Sequence, residues 1–207
     1  YPYDYYWILN YINDKKLKQK DIFFINKCHK IDYWNELYTI QQNIMRQKPN
    51  IKLEKLFSKA FNNHQAGNLI EAEKIYQKII KINPNIDVVQ NNLGMIYLKA
   101  NKKKLAQFCF LSAIKINSNY IEAYNNLASL NNEIGQYNKS IIHSNKALEI
   151  NHNSVNALFN LAYSYGKIGN KKNEIKFYLK TLKLEPEHFS AYNNLALAYY
   201  ESGETEK

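Results

Sequence analysis

Asn91-Asn92-Leu93-Gly94 returns as Asn125-Asn126-Leu127-Ala128, then as Phe159-Asn160-Leu161-Ala162, and again as Asn193-Asn194-Leu195-Ala196. Each step is 34 residues. A fixed period of this size marks a chain built from stacked copies of one supersecondary unit. Other columns keep the same register. Gly67, Gly135, Gly169 and Gly203 recur, with Asn101 filling the missing place. Ala72, Ala106 and Ser140 form a column of short side chains broken by Glu174. Tyr76, Phe110 and Tyr178 form an aromatic column broken by Ser144. Pro84 and Pro186 stand three periods apart, each after an apolar run.

Each period reads as two helices. Between Asp87 and Ala100, apolar or small residues at Val89, Leu93, Gly94, Ile96 and Tyr97 make a helical stripe. From Lys104 to Ile116, one broad apolar face is expected from Leu105, Phe108, Cys109, Ala113 and Ile116. Glycine or Asn101 between the halves suits a left-handed turn, and proline after the second half ends it. The column Gly94, Ala128, Ala162 and Ala196 leaves room for bulky side chains from a partner helix. The Tyr/Phe column is expected to fill that room. No single helix pair buries its whole apolar face, so the units must stack.

This helix–turn–helix unit, with Leu-Gly/Ala, then Tyr, Ala, Tyr/Phe and Pro at fixed offsets, resembles the tetratricopeptide repeat. The resemblance implies an all-α fold, a right-handed superhelical solenoid of antiparallel helix pairs. It divides an array over 53–207 into units 53–86, 87–120, 121–154 and 155–188, with 189–207 giving the first helix of a fifth. The first unit carries Asn63 where others have Tyr97, Tyr165 or Tyr199. The third has Ser140 and Ser144 at packing places, so its second helix is expected to be the loosest. Residues 1–52 fall outside the period. They contain Trp7, Trp34 and an amphipathic stretch, Asp32 to Gln47, that stops before Pro49. Two readings stand for this segment: a helical cap on the first unit, or the tail of a preceding domain. Both chain ends are read as cut points within a longer protein.

Composition narrows the function classes. With 45% hydrophobic and 22% charged residues in 207, a packed core is expected rather than wholesale disorder. The longest apolar run, Leu195 to Tyr200, is six residues, so no membrane insertion is expected. Six Gly and four Pro argue against a turn-dense β fold. Cys28 and Cys109 cannot build a disulfide framework, and the cysteine usage fits a cytoplasmic location. Cys28-His29 is adjacent and lacks partners at ligand or dyad spacing, while His64, His143, His152 and His188 fall at different places in the repeat. No phosphate loop, zinc-protease motif or nucleophile turn occurs. The expectation is a chain without enzymatic activity, cofactor or metal in these residues. A net charge of +10 raises nucleic acid as a partner. Yet Lys102-Lys103-Lys104, Lys171-Lys172, Lys176, Lys180 and Lys183 fall on turns and second helices, and arginine occurs once, at Arg46. Nucleic acid therefore ranks well below protein as the expected partner.

The functional lead is the column Asn92, Asn126, Asn160 and Asn194. In tetratricopeptide stacks, the resemblance implies, first helices line a concave surface and residues just ahead of the Leu column face it. An asparagine amide offers two donors and an acceptor, the complement of a peptide group. The column is similar to the asparagine ladder of protein O-GlcNAc transferases, which hold substrate polypeptides by their backbone. Ser58 breaks it in the first unit. Asn91, Asn125 and Asn193 double the row, Phe159 takes the fourth place, and Met95, Phe159 and Tyr163 add apolar surface. The competing account is local: with 30 asparagines in the chain, these amides bond across helix–helix interfaces. The function expected is a protein-interaction scaffold binding an extended polypeptide or partner helix in its groove. The alternative is the substrate-recognition arm of a larger O-GlcNAc-transferase-like glycosyltransferase whose catalytic domain lies elsewhere. A clamp of Lys and Arg for chaperone C-termini is not matched. Groove-side places hold Glu122, Asn125, Ser129, Asn156 and Tyr163, with Lys99 and Lys167 the only nearby cations.

Overall fold

The computed structural model describes residues 51–203, with side chains from residue 53 onward. The stretch Asp32–Gln47, Trp7, Trp34, the Cys28-His29 pair and Glu204–Lys207 lie outside the described residues. Those that are described form nine helices and no strand. They are α1 (Ile51–Gln65), α2 (Leu69–Ile82), α3 (Asp87–Lys99), α4 (Lys103–Ile116), α5 (Ile121–Glu133), α6 (Tyr137–Ile150), α7 (Val155–Lys167), α8 (Lys171–Leu184) and α9 (Phe189–Ser202). Consecutive helices pair as α1–α2, α3–α4, α5–α6 and α7–α8, and α9 packs on α8. The result is an all-α helical-repeat solenoid. Among the described residues no helix is long and apolar enough to cross a membrane.

The turn chemistry explains two of the columns. Gly67, Gly135, Gly169 and Gly203 have φ of 79°, 74°, 82° and 76°, and Asn101 has 56°. This left-handed residue lets the next N–H reach back over the helix end, as Lys102 N does to Tyr97 O at 2.8 Å and Gln136 N to Asn131 O at 2.7 Å. After the first three second helices, Asn83, Asn117 and Asn151 accept through Oδ1 from the N–H two residues on, at 2.9, 3.0 and 2.9 Å. Such side-chain turns are a local reason for asparagine, and they account for part of its excess without invoking a ligand.

The core follows the small and aromatic columns. A Cβ added at Gly94 would lie 2.6 Å from Phe110 Cε1, so the ring packs directly on the glycine. Tyr76, Phe110 and Tyr178 are buried with Ala60, Ala128 and Ala162, each large side chain contributing about 1.5–3 kcal/mol by leaving water. The expected face of α4 needs correcting. Its buried row is Ala106, Cys109, Phe110 and Ala113, whereas Leu105 is 47% and Phe108 67% exposed. Each of those two stands one residue, about 100°, off the row that meets α3. Burial pushes the Cys109 thiol up to about 11, which keeps it a protonated small hydrophobe.

The third unit also departs from expectation. Asn131 stands where other units have Tyr97, Tyr165 or Tyr199, and Ser144 where they have Tyr76, Phe110 or Tyr178. Two rings are missing, yet α6 is not loosely held: the α6–α7 junction is the most extensively packed between units. Short buried side chains at Ser140, Ser144 and Ala147 let α7 close in. The fourth unit solves a different problem. Glu174, only 8% exposed, occupies the Ala72/Ala106/Ser140 place. Gly166 makes the room, since a Cβ there would overlap the Glu174 carboxylate. Lys171 Nζ, 2.8 Å from Glu174 Oε2, balances the charge and also pairs with Glu201 on α9.

First helices touch first helices across units, in the pairs α3–α5, α5–α7 and α7–α9. Second helices show no comparable contact with one another. A stack packed more closely in one layer bends toward that layer, which puts the first helices on the inner side.

Candidate peptide-binding face

The asparagine column stands one residue ahead of buried Leu93, Leu127, Leu161 and Leu195. A single helical step of about 100° carries each amide from the core to the rim of the inner face. In all four cases, Nδ2 donates to the preceding unit. Asn92 reaches Tyr76 Oη at 3.3 Å, and Asn194 reaches Tyr178 Oη at 3.0 Å. Asn126 donates to Asn91 Oδ1 at 2.9 Å, and Asn160 to the Asn125 carbonyl at 3.3 Å. The aromatic column decides which acceptor is used. Where it holds a tyrosine, the amide takes the hydroxyl. Phe110 has no acceptor and Ser144 is too short to reach, so there the amide turns to the previous first helix. Burial raises the Tyr76 and Tyr178 phenols above their ordinary range, against a smaller lowering by the asparagine. Both therefore stay protonated at neutral pH.

Asn92, Asn126 and Asn194 are half-buried. Their Oδ1 atoms have no hydrogen-bond partner among the described residues. Asn160 differs. It is 8% exposed, and its backbone carbonyl and Oδ1 accept from Asn132 Nδ2 at 3.3 and 3.4 Å. Ser164 Oγ lies 2.6 Å from Asn132 Oδ1 and 2.7 Å from the Asn160 carbonyl. Asn125 is buried and donates to Ser154 Oγ at 3.2 Å, and Asn91 is buried as well. The structure thus moves Asn91, Asn125 and Asn160 from the open face, where the sequence put them, into the seam between units. They lie there because each serves the amide of a neighbouring first helix.

The remaining candidates stay near the surface. Asn193 is exposed, and Met95, Phe159 and Tyr163 are half-buried. The Phe159 ring stacks on His188 at 4.8 Å and tilts against Tyr178 at 5.7 Å. Lys167 Nζ sits 5.2 Å above the Tyr163 ring. Sequence reasoning missed Asn132, Ser154 and Ser164. Ser164 carried a signal, since its register place is Ile96 in one unit and Leu130 in another. No group of three or more His, Cys, Asp or Glu able to hold a metal ion occurs among the described residues.

A family model described as tetratricopeptide repeat matches residues 56–86, 89–120 and 155–188, and a second of the same description matches 109–142 and 177–207. Together they cover more than half of the chain. None of the curated proteins matches it. Among solved structures, a crystal structure of MamA is 24% identical with a TM-score of 0.66, over 71% of this chain and 86% of that one. MamA from Desulfovibrio magneticus RS-1 is 15% identical with a TM-score of 0.69, over 75% and 88%. YrrB, described as a TPR protein with an unusual peptide-binding site, is 17% identical with a TM-score of 0.64, over 81% and 85%. At these identities the likeness is one of fold. Register, helix pairing and family models agree: the chain belongs to the tetratricopeptide repeat family.

Proposed function

We propose that this chain is a protein-interaction scaffold that holds an extended polypeptide along the face lined by its first helices. One observation carries the proposal: Asn92, Asn126 and Asn194 each have one N–H pinned to the preceding unit while Oδ1 and the second N–H stay unengaged. An amide held in place loses little freedom when it binds, and its two remaining groups complement a peptide bond. Adjacent helix axes lie about 8–10 Å apart and an extended chain advances about 3.3 Å per residue. Asn92 and Asn126 therefore meet the guest about three residues apart, and Asn194, beyond the place where Asn160 is buried, about six further on, by backbone rather than side chain. Met95, Phe159 and Tyr163 supply apolar area beside the amides. YrrB, with its peptide-binding site, supports the ligand class by analogy of fold. Most lysines of the described residues stand on second helices, away from this face, which favours polypeptide over nucleic acid. The proposed function involves no cofactor and no bond-making step.

The test is fluorescence anisotropy of a labelled, unstructured peptide library on the 207-residue chain. The double variant Asn92→Ala/Asn126→Ala is expected to keep its helical circular dichroism and to bind at least about ten-fold more weakly, each lost hydrogen bond being worth about 0.5–1.5 kcal/mol. Unchanged affinity would sink the proposal.

A further inference from the structure

At one place in the last turn of the first helices, the register reads Lys99, Glu133, Lys167, Glu201. The sign alternates with a two-unit period, and the two signs are treated differently. Lys103 Nζ lies 2.9 Å from Glu133 Oε1, and Lys171 Nζ pairs with Glu201. Both of these lysines come from the start of the preceding unit's second helix, where α2 and α6 instead begin with Leu69 and Tyr137. The carboxylates are therefore matched inside the array. The lysines of the column are not: among the described residues no carboxylate lies within ion-pair distance of Lys99 or Lys167. Both are exposed.

Their placement is set by the helix. Each follows by four residues a side chain of the inner face, Met95 or Tyr163, and so lies on that same face. Lys167 confirms this geometry by sitting over the Tyr163 ring. Lys99 is close enough to His64, on α1, to add to the burial that lowers its pKa. The other carboxylates of this face, Glu54 and Glu122, stand in the first turns of α1 and α5. From there to the lysine place is about 16 Å along a helix axis. One edge of the face thus carries two ammonium groups without a carboxylate partner among the described residues, beside the already paired Glu133 and Glu201, and Glu54 and Glu122 stand at the other edge.

Resting on the polypeptide-binding function proposed above, we infer that the guest is an acidic extended segment with two carboxylates spaced to meet Lys99 and Lys167. Two units span about 16–20 Å, which an extended chain covers in roughly five or six residues. Six is the favoured spacing, since side chains an even number apart point to one side of an extended chain. The asparagines hold the backbone, and the two lysines select which backbone.

The experiment compares three labelled twelve-residue peptides of Ala, Ser and Gly on the 207-residue chain. One has two Asp six residues apart, one has Asn at those places, and one has two adjacent Asp. The spaced acidic peptide is expected to bind roughly five- to ten-fold tighter than the Asn peptide at low salt, with the advantage shrinking at high salt. In Lys99→Gln/Lys167→Gln that advantage should vanish while the Asn peptide binds as before. If the acidic and Asn peptides bind equally well, the charge inference is overturned and the groove proposal stands. If adjacent acids serve as well as spaced ones, the two-site geometry is overturned. If no peptide binds, both fall together.

Discussion

The junction between the fourth and fifth units and the junction between the third and fourth do one job with opposite materials. The former is built on Tyr178, buried with Ala162, Ala191 and Leu195 and flanked by Phe159, Phe177 and Tyr199. The latter joins Asn132, Asn160 and Ser164, all buried and hydrogen-bonded across it, with Ser144 in the place that Tyr178 fills in the fourth unit. Both are closely packed, because helices separated by shorter side chains simply approach further. Energetically they are not equivalent. Asn131, Ser140, Ser144 and the Asn125 Oδ1 carry buried polar atoms with no partner among the described residues, and such an atom costs about 1–3 kcal/mol. Tight packing and stability are separable, and the third unit shows the separation.

The sharpest way to break that contrast is truncation on both sides of it. Tyr178→Ala is expected to lower unfolding stability by about 3–5 kcal/mol, read from urea denaturation. Ser144→Ala removes an unpartnered hydroxyl and should be neutral or slightly stabilising. Equal losses from the two changes would show that the polar seam is held as firmly as the aromatic one.

A second test concerns the buried Glu174 and its accommodating Gly166. Gly166→Ala alone forces the carboxylate aside and should cost about 1–3 kcal/mol. In a Glu174→Ala background the same change should stabilise by up to about 1 kcal/mol, since glycine in a helix is unfavourable. A double-mutant cycle measures the difference, and additive effects would mean that the two residues do not sense each other.

The smallest effect is the response to acid. His64 and His143 have pKa values lowered from 6.5, first by burial and then by Lys99 and Lys139 respectively. The unfolded chain thus takes up protons before the folded one does. Their contribution is fully present above pH 6.5 and is lost as the pH falls through the lowered folded values. Urea midpoints measured from pH 7.5 down to 5.5 should decline, and less so in His143→Gln, the His143 ring packing against Tyr124 within the third unit.

What the sequence made legible follows from how far each residue's task reaches. Helix pairing and the left-handed turns were readable because Gly67 or Asn101 acts within its own loop. The outer placement of Leu105 and Phe108 was not, since apolar residues one step off the buried row look the same in a periodicity. The asparagine column was visible as a column, but its bonding was not. The partner of Asn92 or Asn126 depends on whether a residue 16 places earlier is Tyr76 or Phe110. Glu174 looked like a flaw until Gly166 was found facing it. Lys99 and Lys167 stand out in the sequence as cations near the groove, but whether a carboxylate reaches them depends on packing between units.

Every amide of the column gives its hydrogen bond to the unit before it, never to the unit after. Synthesis proceeds from the N-terminus, so each acceptor has left the ribosome before its donor arrives. A growing array can therefore close one unit at a time, with no amide of this column waiting for a partner not yet made, although Asn132 outside the column does wait for Asn160. The same polarity governs extension by duplication: a copy added at the C-terminal end brings its own donor and finds an acceptor already standing. The solenoid has a direction of assembly written into its asparagines.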